Sequence, residues 1–480
     1  MDSNRFQRWT VIFRRIFFWF RLGALMLFLG VAVQLVRWSH AYDPRFYQFL
    51  GTPPGRALSS LMEWPNLHNR TGREKPFEKY SDEEKYWHRH IQTRLQQSWP
   101  THTLELRGGE IRHVRILSQE QGQLRIREHF GMQGRLETTL SASEVLSLRP
   151  YDKELPEVSL RDVHFQMEYP DFDLTYFGHY TVLTDAPYYQ VADSVEILEE
   201  LHRQYLEIFG PLIRFPRSEQ SLQVLFFSNE HDFRAHQDRT APDLHSSVGY
   251  FSPLEDRMVV FNQQFSDRAN QIRQEVEADI AALLNRARSQ GERREILKIQ
   301  QQAEQQIRER AKRDTVSTLR HEAAHYLSYT FGVHSWIHAE NGWLIEGMAS
   351  YFEQNPPQGL NPGFMQTLLM LEMQDRIPPL RQLMEIRQPE NFETELSKMK
   401  AYEAYALSWS LFHFCMQPEN RKGFFAYLRH LQSPPDIGKL MNHSRMERLA
   451  VYLRLTPQEL EKAWRRMIRE DMGIRTPKSA

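Results

Sequence analysis

Glu346 stands alone in an otherwise apolar run, Trp343-Leu344-Ile345-Glu346-Gly347-Met348-Ala349-Ser350-Tyr351-Phe352. A run of that kind is drawn into a core and takes the carboxylate with it. A buried carboxylate without a partner is expensive. The fold must therefore bring a cation or a strong hydrogen-bond donor to Glu346. Gly347 and Ala349 are small, which lets their helix pack close to that partner.

The partner is visible upstream, where residues 321–325 read His-Glu-Ala-Ala-His. Histidines four apart share one face of a helix, about one turn from each other. Both imidazoles can then reach a single tetrahedral metal. His321, His325 and Glu346 make two nitrogens and one carboxylate, the ligand set of a catalytic zinc site with an open position. Glu322 faces that open position, where it can take a proton from an attacking water and pass it to a leaving amine. One Zn2+ per chain is expected. The context reads as helical: Asp314 or Thr315 can cap, Val316 and Leu319 begin an apolar face, Tyr326-Leu327 continues it, and Gly332 can end it. The plain alternative is a helix with two surface histidines, and Glu346 decides against it. An acceptor behind the histidines is expected. The position four residues after Glu346 is Ser350, not an acid, so the sequence does not reveal that acceptor.

The N-terminus constrains topology. Residues 17–36 form a twenty-residue apolar stretch with one charge, Arg21. A helix of that length spans a hydrocarbon core of about 30 Å. Trp19 and Trp38 flank it as interfacial anchors, and Arg5, Arg8, Arg14 and Arg15 precede it against a single acid, Asp2. The expected topology is a single-pass anchor with a cytoplasmic N-terminus and everything after residue 40 exported. The rival is a cleaved signal peptide ending near Ser39-His40-Ala41.

Charge and cysteine content narrow the rest. With 60 basic and 61 acidic residues, the chain carries no basic excess for nucleic acid. Cys415 is the single cysteine, so no intramolecular disulfide forms, and its apolar neighbours read as core. At 480 residues the chain is long enough for two or three domains.

We expect an α+β chain in six parts. Residues 1–40 form the basic segment and anchor, and 41–100 a linker with a short helix capped at Ser81. Residues 101–150 alternate apolar and polar between glycine turns, giving five short strands of a small SH3-like β-barrel. Residues 160–262 read as α/β, with strands at 180–184, 222–227 and 258–261 and a helix at 191–209 stopped by Gly210-Pro211. Residues 263–313 form a polar helical hairpin broken at Ser289-Gln290-Gly291. It is a solvated excursion or, on a sharper reading, an arm for a protein partner. Residues 314–475 are the helical part with the zinc site. In the tail, Thr456-Pro457-Gln458-Glu459 is a capping box.

The pair His-Glu-Ala-Ala-His and Trp-Leu-Ile-Glu-Gly-Met-Ala resembles the gluzincin metallopeptidases. The second segment is similar to the Trp-Leu-x-Glu-Gly-Phe-Ala pattern of their aminopeptidase branch. The Gly-x-Met-Glu-Asn motif that holds a free amine in that branch is absent, which points to an endopeptidase. A better match is the bacterial peptidase-MA-like group, similar over roughly residues 175–470. The resemblance implies a gluzincin-type catalytic domain, sheet-containing then mostly helical, acting on peptide or protein substrates on the periplasmic side of an inner membrane. It also implies a tyrosine some sixty residues after the ligating glutamate as donor to the oxyanion. Tyr405 fits that position, and Tyr402 lies one turn earlier. His334 and His338 lack the third-ligand spacing of metzincins and read as loop residues.

Two functions follow. One is a membrane-anchored zinc endopeptidase, with cell-wall peptide cross-links as a variant substrate. The alternative is a non-enzymatic envelope scaffold with a structural or vestigial zinc site.

Overall fold

The computed structural model describes residues 76–471, apart from 131–133, 153, 187, 214–220, 242–243, 245–246, 254, 334–340, 358, 387–398 and 433–443. The expected anchor at 17–36 lies outside the described residues, as do His334 and His338. Among the described residues no helix is long and apolar enough to cross a membrane. They form thirteen α-helices and two five-stranded sheets, a mixed α+β architecture.

Helix α1 (Asp82–Ser98) begins at the expected cap. Ser81 Oγ accepts from the Glu84 N–H at 3.1 Å, and the Glu84 carboxylate accepts from the Ser81 N–H. The first sheet follows: β1 (His102–Leu106), β2 (Ile111–Glu120), β3 (Gln123–Phe130), β4 (Gly134–Ser141) and β5 (Val145–Pro150), in the order β4-β3-β2-β1-β5. All pairs are antiparallel. Five strands form where the alternation predicted five, but the expected barrel is not closed. A 3-10 turn, Ala142–Glu144, carries the chain from the β4 edge to the free edge of β1. That leaves β4 and β5 at opposite edges. Strand β2 pairs with β1 through residues 111–114 and with β3 through residues 115–120, with a bulge between Ile116 and Ser118. The core beneath is four buried residues, Leu104, Val114, Leu124 and Ile126, while Leu146 and Leu148 of β5 stay exposed.

The second sheet contains β6 (Asp173–Phe177), β7 (Tyr180–Thr184), β8 (Leu222–Phe227), β9 (Gly249–Ser252) and β10 (Arg257–Phe261), in the order β6-β7-β8-β10-β9. The three inner strands are parallel, and β6 and β9 are antiparallel edges. Helices α2 (Leu160–Glu168), α3 (Tyr188–Phe209) and α4 (Glu230–Thr240) accompany it. Every residue of β8 is buried, as its apolar run requires. Side chains alternate between two cores. Val182, Val224, Phe226 and Val260 face α3 and the helical part, whereas Leu183, Leu225, Phe227 and Val259 face Phe233 of α4 and Val163 of α2.

The helical part comprises α5 (Asp267–Arg286), α6 (Gln290–Thr330), α7 (Gly342–Phe352), α8 (Pro362–Met373), α9 (Leu380–Glu385), α10 (Ala401–Met416), α11 (Pro418–Leu431), α12 (Arg445–Leu453) and α13 (Pro457–Asp471). The hairpin turn falls as expected, with Ser289 capping α6 through the Glu292 N–H at 3.1 Å. The expected helix start at Asp314 or Thr315 does not occur. Helix α6 runs unbroken for 41 residues, so the polar arm and the motif helix are one rod. Thr315 does not cap; its Oγ1 donates to the Ala311 carbonyl at 2.8 Å within the helix.

Helices α7 and α10 meet at Gly347, where an added Cβ would lie 2.5 Å from the Ser408 carbonyl oxygen. We expect Gly347→Ala to lower stability by about 1–3 kcal/mol through overpacking, read as a drop in thermal midpoint. A midpoint equal to the native one would show that the two helices separate freely.

His236 on α4 is buried, with Nδ1 against the Tyr169 hydroxyl at 2.5 Å and Nε2 against Thr240 Oγ1 at 3.2 Å. Burial first, and then the charges of Arg257 and Arg239, hold its pKa down at about 4 from an ordinary 6.5. The unfolded chain therefore takes up this proton before the folded one does. Stability is complete above pH 6.5 and falls as the pH drops toward 4, by an amount on the order of 2–3 kcal/mol. Between pH 7 and 4.5 the thermal midpoint should fall more steeply in the native chain than in His236→Gln. Parallel slopes would remove His236 from the account.

Candidate metal centre

Helix α6 presents His321 and His325 one turn apart, and α7 brings Glu346 against them. Buried Arg320 locks the two helices in register. Its Nε donates to the Phe352 carbonyl at 2.5 Å, and its Nη2 donates to the Gln354 carbonyl at 2.9 Å and Gln204 Oε1 at 2.7 Å. A guanidinium on the last carbonyls of α7 also suits the negative end of that helix.

The three expected ligands converge. His321 Nε2 lies 3.1 Å from Glu346 Oε2 and 3.2 Å from His325 Nε2, and His325 Nε2 lies 3.6 Å from Glu346 Oε1. Ligand bonds of about 2.0–2.1 Å in a tetrahedron put donor atoms about 3.3 Å apart. The observed spacings, which involve both oxygens of Glu346, lie near that value, so the residue types and their separation are compatible with a zinc ion. Glu346 is buried, while the two histidines keep partial exposure on the open side.

The electrostatics favour a cation at this point. Burial alone would raise the Glu346 pKa, but His325 and His321 outweigh it and hold the carboxyl well below the usual range. Burial alone would lower that of His321, but its hydrogen bonds to Glu346 and Glu353 lift it well above its ordinary value. A proton on His321 thus supplies the positive charge that a metal ion would bring. Glu322 is raised, chiefly by burial, against the pull of His321 and His325.

Glu353 is the residue that sequence reasoning missed. It caps α7 and accepts from His321 Nδ1 at 2.9 Å through Oε1. Its Oε2 accepts from Ser317 Oγ at 3.1 Å and Asn361 Nδ2 at 3.5 Å. This is the acceptor expected behind the histidine. It sits two helical turns after Glu346, on the same face, and that spacing was the available signal.

Two further groups border the site. Glu322 Oε2 accepts the Phe251 N–H at 3.0 Å, so the catalytic-base candidate touches the free edge of β9. The Tyr405 ring lies 6.2 Å from that of His321 and packs half-buried against the core. Tyr402 is half exposed and packs on Phe364 instead.

Replacing Glu353 with Ala should weaken zinc binding about 10–100-fold, measured by competition with a chromophoric chelator. Affinity within twofold of native would mean that His321 is oriented without it.

A family model described as a protein of unknown function, DUF1570, matches residues 315–438. That span holds His321, Glu322, His325, Glu346, Glu353 and Tyr405. No curated protein and no solved structure matches the chain.

Proposed function

We propose that this chain is a zinc-dependent metallopeptidase of gluzincin type, an endopeptidase held to a membrane by residues 17–36 with its catalytic part on the exported side. The observation that carries the reading is the convergence of His321, His325 and Glu346 at tetrahedral spacing, with Glu322 beside them. The anchor and the side of the membrane rest on the sequence alone.

In this reading His321, His325 and Glu346 hold the ion, and Glu353 fixes the ring of His321. An ion held by these residues would supply Lewis acidity toward the attacking water and the substrate carbonyl. Glu322 receives the proton of the attacking water and returns it to the amine that leaves. Burial raises its proton affinity above that of an ordinary carboxylate, against the pull of His321 and His325. Tyr405, whose ring lies 6.2 Å from that of His321, would donate to the oxyanion once substrate is bound.

The substrate class follows from the strand beside the base. Strand β9 pairs with β10 on one side only, and the Phe251 N–H points away from that ladder, to Glu322. An extended peptide would lie along this edge by taking over the bonds that the Phe251 N–H now makes to Glu322 and Gly249 makes to Ser247. A backbone-directed mode of that kind suits an endopeptidase, because it is indifferent to side chains.

Glu322→Gln preserves the ligands and removes the base. We expect it to keep its zinc and to lose about 10²–10⁴-fold in kcat against a quenched-fluorescence peptide library. Hydrolysis at the native rate by a zinc-loaded Glu322→Gln chain would overturn the peptidase reading.

A further inference from the structure

Beyond the C-terminal end of α6 lies a second group of metal-binding side chains, His179, Glu199 and His202. One ligand atom from each lies within 4.8 Å of the other two. We propose that these three residues form a second site for a divalent first-row transition metal such as zinc, separate from the first. The proposal does not rest on the peptidase reading.

Glu199 and His202 are three apart on α3, so one helix face carries both. His179 comes from the two-residue turn between β6 and β7, where Phe177 pairs with Tyr180. The Glu199 carboxylate accepts the His179 backbone N–H at 2.6 Å and faces His179 Nδ1 at 2.8 Å. That approach requires Gly178. Its φ is +53°, and a Cβ there would lie 2.3 Å from Glu199 Oε1. The turn is thus shaped to admit the carboxylate.

A hairpin clamp needs only Glu199 and His179. The reading as a clamp leaves His202 unexplained, and His202 is what makes the group a ligand set. It is 2% exposed, and its ring lies 3.9 Å from that of His179, centroid to centroid, at 87°. The histidines of the first centre stand in the same edge-to-face relation, 4.8 Å apart at 78°. Two imidazoles and one carboxylate suit zinc and its neighbours rather than calcium or magnesium. All three residues line a cavity of about 900 Å³, which leaves access and room for a fourth ligand.

Phe331, the residue that ends α6, lines the same cavity and stacks on His202 at 5.7 Å and 16°. A metal here would tie the hairpin turn to α3 and brace the end of the helix that carries His321 and His325.

The test is the zinc content of the full-length chain, by elemental mass spectrometry after loading and removal of excess metal. The proposal requires an equivalent that survives in Glu346→Ala and is lost with His179→Gln; with both sites occupied the counts are two in the native chain and one in each single variant. The double variant Glu346→Ala/His179→Gln should hold none. His179 lies in a part-exposed turn but its ring packs on His202, so the metal-free thermal midpoint of His179→Gln is measured alongside, and a value near the native one shows that the fold is kept. As a second readout, added zinc should raise the thermal midpoint of Glu346→Ala but not of the double variant. One equivalent in the native chain, lost in Glu346→Ala and kept in His179→Gln, overturns the second site and spares the peptidase reading. The reverse pattern, one equivalent kept in Glu346→Ala and lost in His179→Gln, spares the second site and overturns the first. No zinc in any chain overturns both.

Discussion

The buried carboxylate of Glu346 is the constraint on which the helical part depends. Carried into the core by an apolar helix, it has to be neutralised there, and the two histidines of α6 do this. Their meeting fixes where α7 crosses α6. Arg320, the residue before His321, then secures the crossing by taking the terminal carbonyls of α7. Gly347 draws α10 onto the opposite side of α7, and with α10 comes Tyr405. One unfavourable burial therefore organises three helices and the polar groups between them.

Much of this was legible because it is local. The spacing of His321 and His325 is a property of one helix, and the oddity of Glu346 is a property of one run. The strands at 180–184, 222–227 and 258–261 were legible for the same reason, since each carries its burial pattern in its own residues. What escaped depended on how elements meet. Glu353 was in plain view at the end of the apolar run, but its role requires knowing which ring faces it. His179 and His202 are twenty-three positions apart, and only the β6–β7 turn brings them together. The open edge of the first sheet was hidden because alternation reports faces, not closure. The false start predicted at Asp314 shows the opposite error. A good cap sequence inside a helix is simply passed over when the preceding residues also favour helix.

The second sheet and the metal centre are coupled through a backbone group rather than a side chain. Glu322 hydrogen-bonds the Phe251 N–H, and any residue except proline at position 251 offers that donor. The strand's placement follows from β10, which is buried between β8 and β9. Glu322 is thus referenced to the sheet through its edge strand, and His321, His325 and Glu346 to a pair of crossed helices. Side chains set on two stiff frames hold their geometry better than ones hung from loops.

The continuity of α6 has a mechanical consequence. At about 1.5 Å per residue, its 41 residues make a rod about 60 Å long. His321 and His325 sit near one end and the exposed turn of the polar arm lies at the other. No break separates the two, so the tip of the arm and the two histidines share one continuous hydrogen-bonded backbone. Whatever holds the tip would hold the same helix that Arg320 ties to α7.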